Sequence, residues 1–287
     1  MESSTIGTLN EDDLFHMFGF LHPNDLFAFA LTCQEMKGNI YKFCETKKLK
    51  NHEFFERTHY LSPKEIKLKN QLTTFESPLL SYKLAKLYND RVRISCADVD
   101  FFPHYDNPSY FSKEQDTLLE HDVLRLTSFF WLEIKHTFKN VNPGRYKYIM
   151  RMKFGENFRW PSYYGDDKLV KFRTSWKNNK DSPTCDNEVR FKSGDWAKIK
   201  KYLDDGEVFD GFPVGCSFQN HDKASGWFDL VMDEPIVLKS NTNKVFSQFL
   251  DVENKSWKSG IIWDYIELNP FYAGHEEEST GIKKQFN

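Results

Sequence analysis

The chain has 287 residues with 39 basic and 42 acidic side chains, and its formal net charge is -3. That balance argues against a nucleic-acid partner, which would normally be matched by a basic surplus. The length accommodates about two domains. Aromatic residues make up 16% of the chain, and this content favours β-strands, large apolar cores and stacking surfaces for ligands.

Targeting and cysteine patterns predict a cytoplasmic chain, with the nucleus as the other compartment. No apolar run approaches the roughly 20 residues of a membrane span, so we expect no membrane partner. Residues 1–13 are polar and acidic and lack the basic and apolar regions of a secretory signal. The cysteines show no C-x-x-C spacing, which predicts reduced thiols and neither a metal site nor a cofactor. They are Cys33, Cys44, Cys96, Cys185 and Cys216.

Residues 9–49 have the apolar spacing of three successive helices. Leu14, Met17, Phe18 and Leu21 occupy positions i, i+3, i+4 and i+7, which is one face of a helix. A module this small rarely buries an adequate core alone, so it docks its apolar faces on something else. The alternative is a helical cap that packs on the chain's own downstream domain.

The run LNEDDLFHMFGFLHPNDLFAFALTCQEM resembles an F-box, although Asn10 stands where the family commonly has Pro. The resemblance implies that residues 1–50 bind the Skp adaptor of an SCF-type ubiquitin ligase and, through it, a cullin scaffold. The implied adaptor-binding residues are Leu9, Leu14, Met17, Phe18, Leu21, Leu26, Phe29, Leu31 and Met36. Two Ser-Pro helix starts, Ser62-Pro63 and Ser77-Pro78, then predict a stiff helical linker over residues 51–93.

From residue 94 the apolar period changes from that of helices to that of strands. Arg145–Phe154 alternates apolar and charged residues, and so does the stretch from Phe130 to Phe138, where Trp131 is interpreted as structural. Asn142-Pro143-Gly144 predicts a hairpin turn between these two strands. Further strands are predicted at Val189–Lys192, Trp196–Ile199, Trp227–Met232 and Ile261–Leu268. The prediction is an α+β multidomain chain with an antiparallel β-sandwich over residues 94–272 and a polar tail over residues 273–287.

Three segments resemble the phloem protein 2 lectin domain, which is found downstream of F-boxes. They are ISCADVDFFPHYDNPSYF, the WLEI strand with the strand that follows it, and WKSGIIWDYIELNP. The resemblance implies a galactose-binding, jelly-roll-like sandwich. The F-box-associated domain of glycoprotein-recognising F-box proteins carries a similar Trp-Lys pair that contacts the inner part of an N-glycan. Trp257 and Lys258 are the matching positions.

The two candidate ligand-binding segments combine aromatic and polar residues outside strand periodicity. An aromatic face such as Trp257 can cover the apolar face of a sugar ring, while Lys258 can donate to its hydroxyls. Alternatively, Trp257 plugs the end of the sandwich and Lys258 is a solvated charge. The second segment offers Trp160, Tyr163, Tyr164 and Asp166 to a saccharide, and it suits a peptide or an edge cover for the sheet equally well.

These features predict a non-catalytic substrate receptor of an SCF-type ubiquitin ligase whose sandwich captures a glycoprotein through its glycan. No nucleophile elbow, phosphate-binding Gly loop or H-E-x-x-H motif occurs in the sequence. The alternatives are an F-box receptor that reads a protein epitope, a free cytosolic lectin, and a hydrolase with a carboxylate pair that sequence does not distinguish from solvated turns.

Overall fold

The structure is a computed structural model that divides into two compact units, Met1–Arg91 and Val92–Asn287. It describes residues 11–20, 26, 29–30, 36–44, 91–98, 107–119, 121–160, 168–178, 182–206, 211–239, 243–253 and 255–270. Most of the predicted linker and the whole predicted tail lie outside these ranges. In these ranges, no helix is both long enough and apolar enough to cross a bilayer.

The first unit has a small apolar core. Helix α1 (Glu11–Phe20) contributes Leu14 and Phe18, and residues 36–44 are also helical. The Phe43 ring meets Phe15 and Phe18 edge-on, with centroid distances of 5.4 and 5.6 Å. Such edge-to-face contacts stabilise a core beyond the contribution of buried apolar area. This core therefore depends on contacts between α1 and the helical segment 36–44.

Most regular elements in the described part of the second unit are strands. Its first strand begins at Val92, so Val92 and Arg93 belong to the sandwich and not, as predicted, to the linker. Its elements are β1 (Val92–Ser95), a 3-10 turn (Cys96–Asp98), β2 (Phe111–Asp116), β3 (His121–Leu126), β4 (Leu132–Val141), β5 (Gly144–Arg159), β6 (Leu169–Trp176), β7 (Cys185–Lys192), α2 (Asp195–Asp205), β8 (Cys216–Gln219), β9 (Phe228–Met232), β10 (Ile236–Leu238), β11 (Asn243–Asp251) and β12 (Ser259–Pro270).

The strands form two antiparallel sheets. The larger sheet has the order β2-β3-β12-β5-β9-β8, with β1 also paired to β12 and β10 to β5. The smaller sheet has the order β4-β11-β6-β7. The predicted antiparallel β-sandwich is confirmed. In this arrangement the segment between β3 and β4 and the segment between β11 and β12 each connect one sheet to the other.

Alternate side chains of both sheets point into one shared core. On β4 the buried positions include Ile134 and Phe138, and on β5 they include Tyr148 and Met150. The Tyr148 ring of the larger sheet stacks on Phe172 of the smaller sheet, with a centroid distance of 4.9 Å. The period of two therefore identified the inward faces correctly, because packing between sheets selects one side of each strand.

The predicted hairpin at Asn142-Pro143-Gly144 is wrong. β4 pairs with β11, whereas β5 pairs with β12 and β9, so the turn carries the chain from the smaller sheet to the larger one. The Tyr146 hydroxyl donates to the Asn142 carbonyl oxygen at 2.9 Å and fixes this crossing. A strand with one buried face has the same alternation in a hairpin and in a crossover, which is why the sequence pattern did not separate them.

The predicted strand Trp196–Ile199 is the start of helix α2. Trp196, Ile199 and Leu203 are buried at helical spacing. The helix ends at Gly206, which has a φ of 74° and donates its N–H to the Tyr202 carbonyl oxygen at 2.9 Å. A window of four residues was too short to distinguish the two periods, because the third apolar position, Leu203, lay beyond it.

Gly260 in β12 permits a close backbone approach that any side chain would block. Its φ is +79°, and a Cβ atom would lie 2.5 Å from the Phe158 backbone, where the register of β12 with β5 shifts. Gly206 has a similar φ of +74° with nothing within 4 Å of a Cβ atom. We expect Gly260→Ala to lower the free energy of unfolding by more than about 3 kcal/mol, because strain and clash add.

Gly206→Ala is the matched control, with an expected loss of about 1–2 kcal/mol from left-handed strain alone. Urea unfolding of the two variants measures the difference. Equal losses for Gly206→Ala and Gly260→Ala would contradict the close approach at Phe158.

Candidate functional site

Three large aromatic side chains of the described residues are exposed, and they lie on two neighbouring loops. Phe130 and Trp131 come directly before β4 and are 38% and 49% exposed, and Trp257 comes before β12 and is 52% exposed. We call Phe130 and Trp257, whose rings are in contact, the aromatic surface. Most other large aromatics of the sandwich are in its core, so this placement requires an explanation from the loops themselves.

A short backbone bridge joins the two loops. The N–H of Phe129 donates to the carbonyl oxygen of Lys258, and the N–H of Lys258 donates to that of Phe129, both at 2.9 Å. The rings of Phe130 and Trp257 then meet edge-on, with a centroid distance of 5.4 Å and an interplanar angle of 66°. The bridge therefore brings residues more than a hundred positions apart into one surface.

The Lys258 side chain lies beneath this surface and is fully buried. Its Nζ donates to the Phe130 carbonyl oxygen at 2.7 Å and to the Asp251 carbonyl oxygen at 3.3 Å, and it lies 3.5 Å from Asp251 Oδ2. Burial lowers the pKa of the Lys258 ammonium, and the Asp251 carboxylate partly offsets this effect. Because the Lys258 side chain has no exposed surface, it is not the solvated charge of the alternative interpretation, and its Nζ is bonded to protein groups where the sequence predicted a ligand.

A chain of side-chain hydrogen bonds continues from Asp251 into the sandwich. Ser193 Oγ donates to Asp251 Oδ2 at 3.1 Å, and Trp160 Nε1 donates to Ser193 Oγ at 2.9 Å. We call Trp160, Ser193, Asp251 and Lys258 the buried polar network, since none of them is more than 5% exposed. Trp160 is therefore not available as the ligand platform that the sequence predicted. Tyr163, Tyr164 and Asp166 lie outside the described residues.

From the sequence we selected Trp257 but not the other two exposed aromatics, Phe130 and Trp131. Trp131 was interpreted as structural because it falls inside a predicted strand, yet it is about half exposed and precedes the first residue of β4, Leu132. The signal that could have identified it is the pair Phe130-Trp131. Consecutive side chains of an extended segment point to opposite sides, so this pair indicates that at least one of the two rings faces solvent.

In the first unit, most of the described residues expected to bind an adaptor are buried instead. Leu14, Phe18, Leu26 and Met36 are at most 9% exposed and pack in the core of that unit, while Phe29 is half-buried. These side chains therefore form the core of the first unit, and their contact with an adaptor stays a prediction. Leu9, Leu21, Leu31 and the Met17 side chain lie outside the described residues.

The larger sheet carries a separate cluster of buried charges. Arg151 lies between Asp229 and Asp264, with N–O distances of 2.9 and 3.7 Å, and His121 Nε2 is 2.9 Å from Asp264 Oδ1. Arg93 pairs with Glu267 across β1 and β12. Because each of these carboxylates has a basic partner, the arrangement is that of a structural ion-pair cluster.

The described residues include side chains of the types that bind metal ions, among them cysteine thiols. The described ranges contain no group of His, Cys, Asp and Glu side chains that could hold a metal ion. Cys96, Cys185 and Cys216 are free thiols. Burial raises the pKa of the Cys216 thiol to about 12 and that of Cys96 well above its ordinary value, so neither forms a reactive thiolate at neutral pH.

The chain belongs to the phloem protein 2 family. The sequence profile of this family matches residues 89–270, which is more than half of the chain and includes every strand of the sandwich. The resemblance read from the WLEI and WKSG segments is thereby confirmed for the second unit. A search of curated proteins by sequence gives no match.

Solved structures resemble the chain only distantly. A Bacillus thuringiensis Cry1Da tryptic core variant is 16% identical with a TM-score of 0.33, covering 64% of this chain, which spans 24% of that protein. A CBM36-1 domain of a xylanase from the hindgut metagenome of Trinervitermes trinervoides is 9% identical with a TM-score of 0.27, covering 63% of this chain and 98% of the domain. TmCBM61, solved with β-1,4-galactotriose, is 9% identical with a TM-score of 0.27, covering 62% of this chain and 88% of its own length.

Proposed function

We propose that the second unit is a saccharide-binding domain whose ligand stacks on Trp257. The observation that carries the proposal is the aromatic surface, in which large apolar rings are held in solvent by two bonded loops. A pyranose ring has an apolar face of C–H groups that fits an indole face. Membership of the phloem protein 2 family agrees with this lectin-type role.

The shape of the surface favours one sugar unit at Trp257. The Phe130 ring stands at 66° to the indole and touches it, so it limits how far a ligand extends over Trp257 on that side. Phe130 thus supplies a wall and Trp257 a floor. Because Lys258 is buried, hydroxyl recognition falls to backbone groups and to other side chains of the two loops.

A glycan array tests this function. We expect the full chain, co-expressed with a Skp adaptor, to bind a restricted set of glycans. Trp257→Ala should weaken that binding at least tenfold, which corresponds to about 1.4 kcal/mol of stacking energy. The control is Leu118→Ala, because Leu118 is 66% exposed and lies in the β2–β3 turn, away from the aromatic surface.

Two results would contradict the saccharide proposal. One is a well-folded chain that binds no glycan on the array. The other is glycan binding that survives Trp257→Ala. In the first case the same exposed aromatics would be read as the anchor of a protein epitope site, since Trp residues also dominate protein interfaces.

The N-terminal unit supplies the connection to a ubiquitin ligase in our proposal. Its support is the F-box resemblance of the run LNEDDLFHMFGFLHPNDLFAFALTCQEM together with a compact unit separate from the sandwich. In this role the chain does no chemistry of its own. It raises the effective concentration of the captured target near the ubiquitin-transferring partners. A glycoprotein target follows from the saccharide proposal.

Adaptor contact should come from half-buried residues of this unit, because the fully buried ones form its core. Phe15 and Phe29 pack on that core and keep part of their surface exposed. We expect the full chain to co-purify with a co-expressed Skp adaptor, and Phe15→Ser with Phe29→Ser to reduce the yield at least tenfold, since interface aromatics carry much of the binding energy.

Lys37→Ala, at an exposed position of the same unit, is the control for the Phe15 and Phe29 change. Glycan binding by the sandwich should persist in the double variant. A full chain that does not associate with the adaptor would overturn the ligase role and favour a free lectin.

A further inference from the structure

Ser193 is the centre of the buried polar network. Its hydroxyl accepts from Trp160 Nε1 at 2.9 Å and donates to Asp251 Oδ2 at 3.1 Å. Its backbone N–H donates to the Lys168 carbonyl oxygen at 2.9 Å. One small residue between β7 and α2 therefore uses its hydroxyl as donor and acceptor and its N–H as donor, and it connects segments that are distant in sequence.

The network ties both sheets together at the end that carries the aromatic surface. Trp160 directly follows β5 and Lys258 directly precedes β12, and both of these strands belong to the larger sheet. Asp251 is the last residue of β11, which belongs to the smaller sheet. The last link is Lys258 Nζ on the Phe130 carbonyl oxygen, at 2.7 Å. The bonded chain thus runs from the interior to the backbone of an exposed aromatic residue.

We propose that Lys258, Asp251 and Ser193 are positioning residues for the aromatic surface, so that in the Trp257-Lys258 pair the Trp contacts the ligand and the Lys holds the loops. This assignment rests on the proposed saccharide function. In this assignment only Trp257 contacts the sugar, and Lys258 does not.

The geometry explains why this role differs from general stabilisation. The backbone of Lys258 holds Phe129 through two hydrogen bonds, and its side chain holds the carbonyl of Phe130. Loss of the charge pair therefore displaces these two loops first, while the shared core of the sheets keeps its contacts. A surface that is ordered before binding does not lose affinity to the entropy of ordering its loops.

Amide hydrogen exchange in the full chain tests the proposal without any ligand. Ser193→Ala removes a hydroxyl that touches neither loop directly, yet we expect the Phe129 and Lys258 amides to exchange about tenfold faster, because a buried charge has lost a hydrogen bond. Trp160→Phe removes the Nε1 donor to Ser193 together with part of the indole, so it should act in the same direction.

Glu267→Gln is the matched control. Glu267 also belongs to a buried ion pair, with Arg93, but on β12 within the larger sheet and outside the network. If Ser193 only stabilised the fold, Ser193→Ala and Glu267→Gln would accelerate exchange at the Phe129 and Lys258 amides equally when they lower the Tm equally. The proposal requires that Glu267→Gln leave exchange at Phe129 and Lys258 within twofold of the native chain.

The proposal is overturned if Ser193→Ala and Trp160→Phe both leave those two amides unchanged, or if Glu267→Gln accelerates them equally. Since the exchange measurement needs no saccharide, this failure is separate from failure of the glycan array. If Ser193→Ala accelerates exchange at these amides but the chain binds no glycan, the positioning role stands and the saccharide function fails. If glycan binding depends on Trp257 but Ser193→Ala does not change exchange, the saccharide function stands and the positioning role fails.

Discussion

The contact between the Lys258 ammonium and Asp251 is the constraint on which the ligand-facing end of the sandwich depends. Both side chains are fully buried, and a buried pair is costly to form because two charges leave water. Once it is formed, removal of either partner leaves an uncompensated charge and costs roughly 3–5 kcal/mol. The pair is further satisfied by Ser193 and by two backbone carbonyls, which favours one arrangement of the loops.

The exposed aromatics follow from this arrangement. Trp257 immediately precedes Lys258, and Phe130 supplies the carbonyl to which Lys258 Nζ donates. Successive residues of an extended segment point to opposite sides. A lysine drawn inward to Asp251 therefore turns its neighbour Trp257 outward, and the same interaction that closes the end of the core presents an indole to solvent. The site belongs to the loops, while the two sheets supply a fixed frame for them.

The sequence predicted those parts of the fold that depend on local periodicity. The alternation around Tyr148 and Ile134 identified the inward faces of β5 and β4, because each strand's buried side is set by its own residues. It did not predict which strands pair. The turn at Asn142-Pro143-Gly144 has the same composition whether it closes a hairpin or crosses between sheets.

The site was only partly predictable for a related reason. Exposure of Trp257 agrees with its polar loop, but burial of Lys258 depends on the Phe130 carbonyl, 128 positions away in the chain. No pattern within a short window carries that information. Trp160 was likewise removed from the surface by a partner 33 positions away, Ser193. Side chains that are buried by partners distant in sequence are therefore the ones whose exposure cannot be predicted from local sequence.

The most direct measurement is a crystal structure of the full chain with the saccharide that binds it most strongly. We expect a sugar ring stacked on the Trp257 indole beside Phe130, with Lys258 Nζ still donating to the Phe130 carbonyl oxygen and close to Asp251. A structure in which Lys258 leaves Asp251 to bond the sugar, or in which the sugar lies on another face of the sandwich, would contradict it.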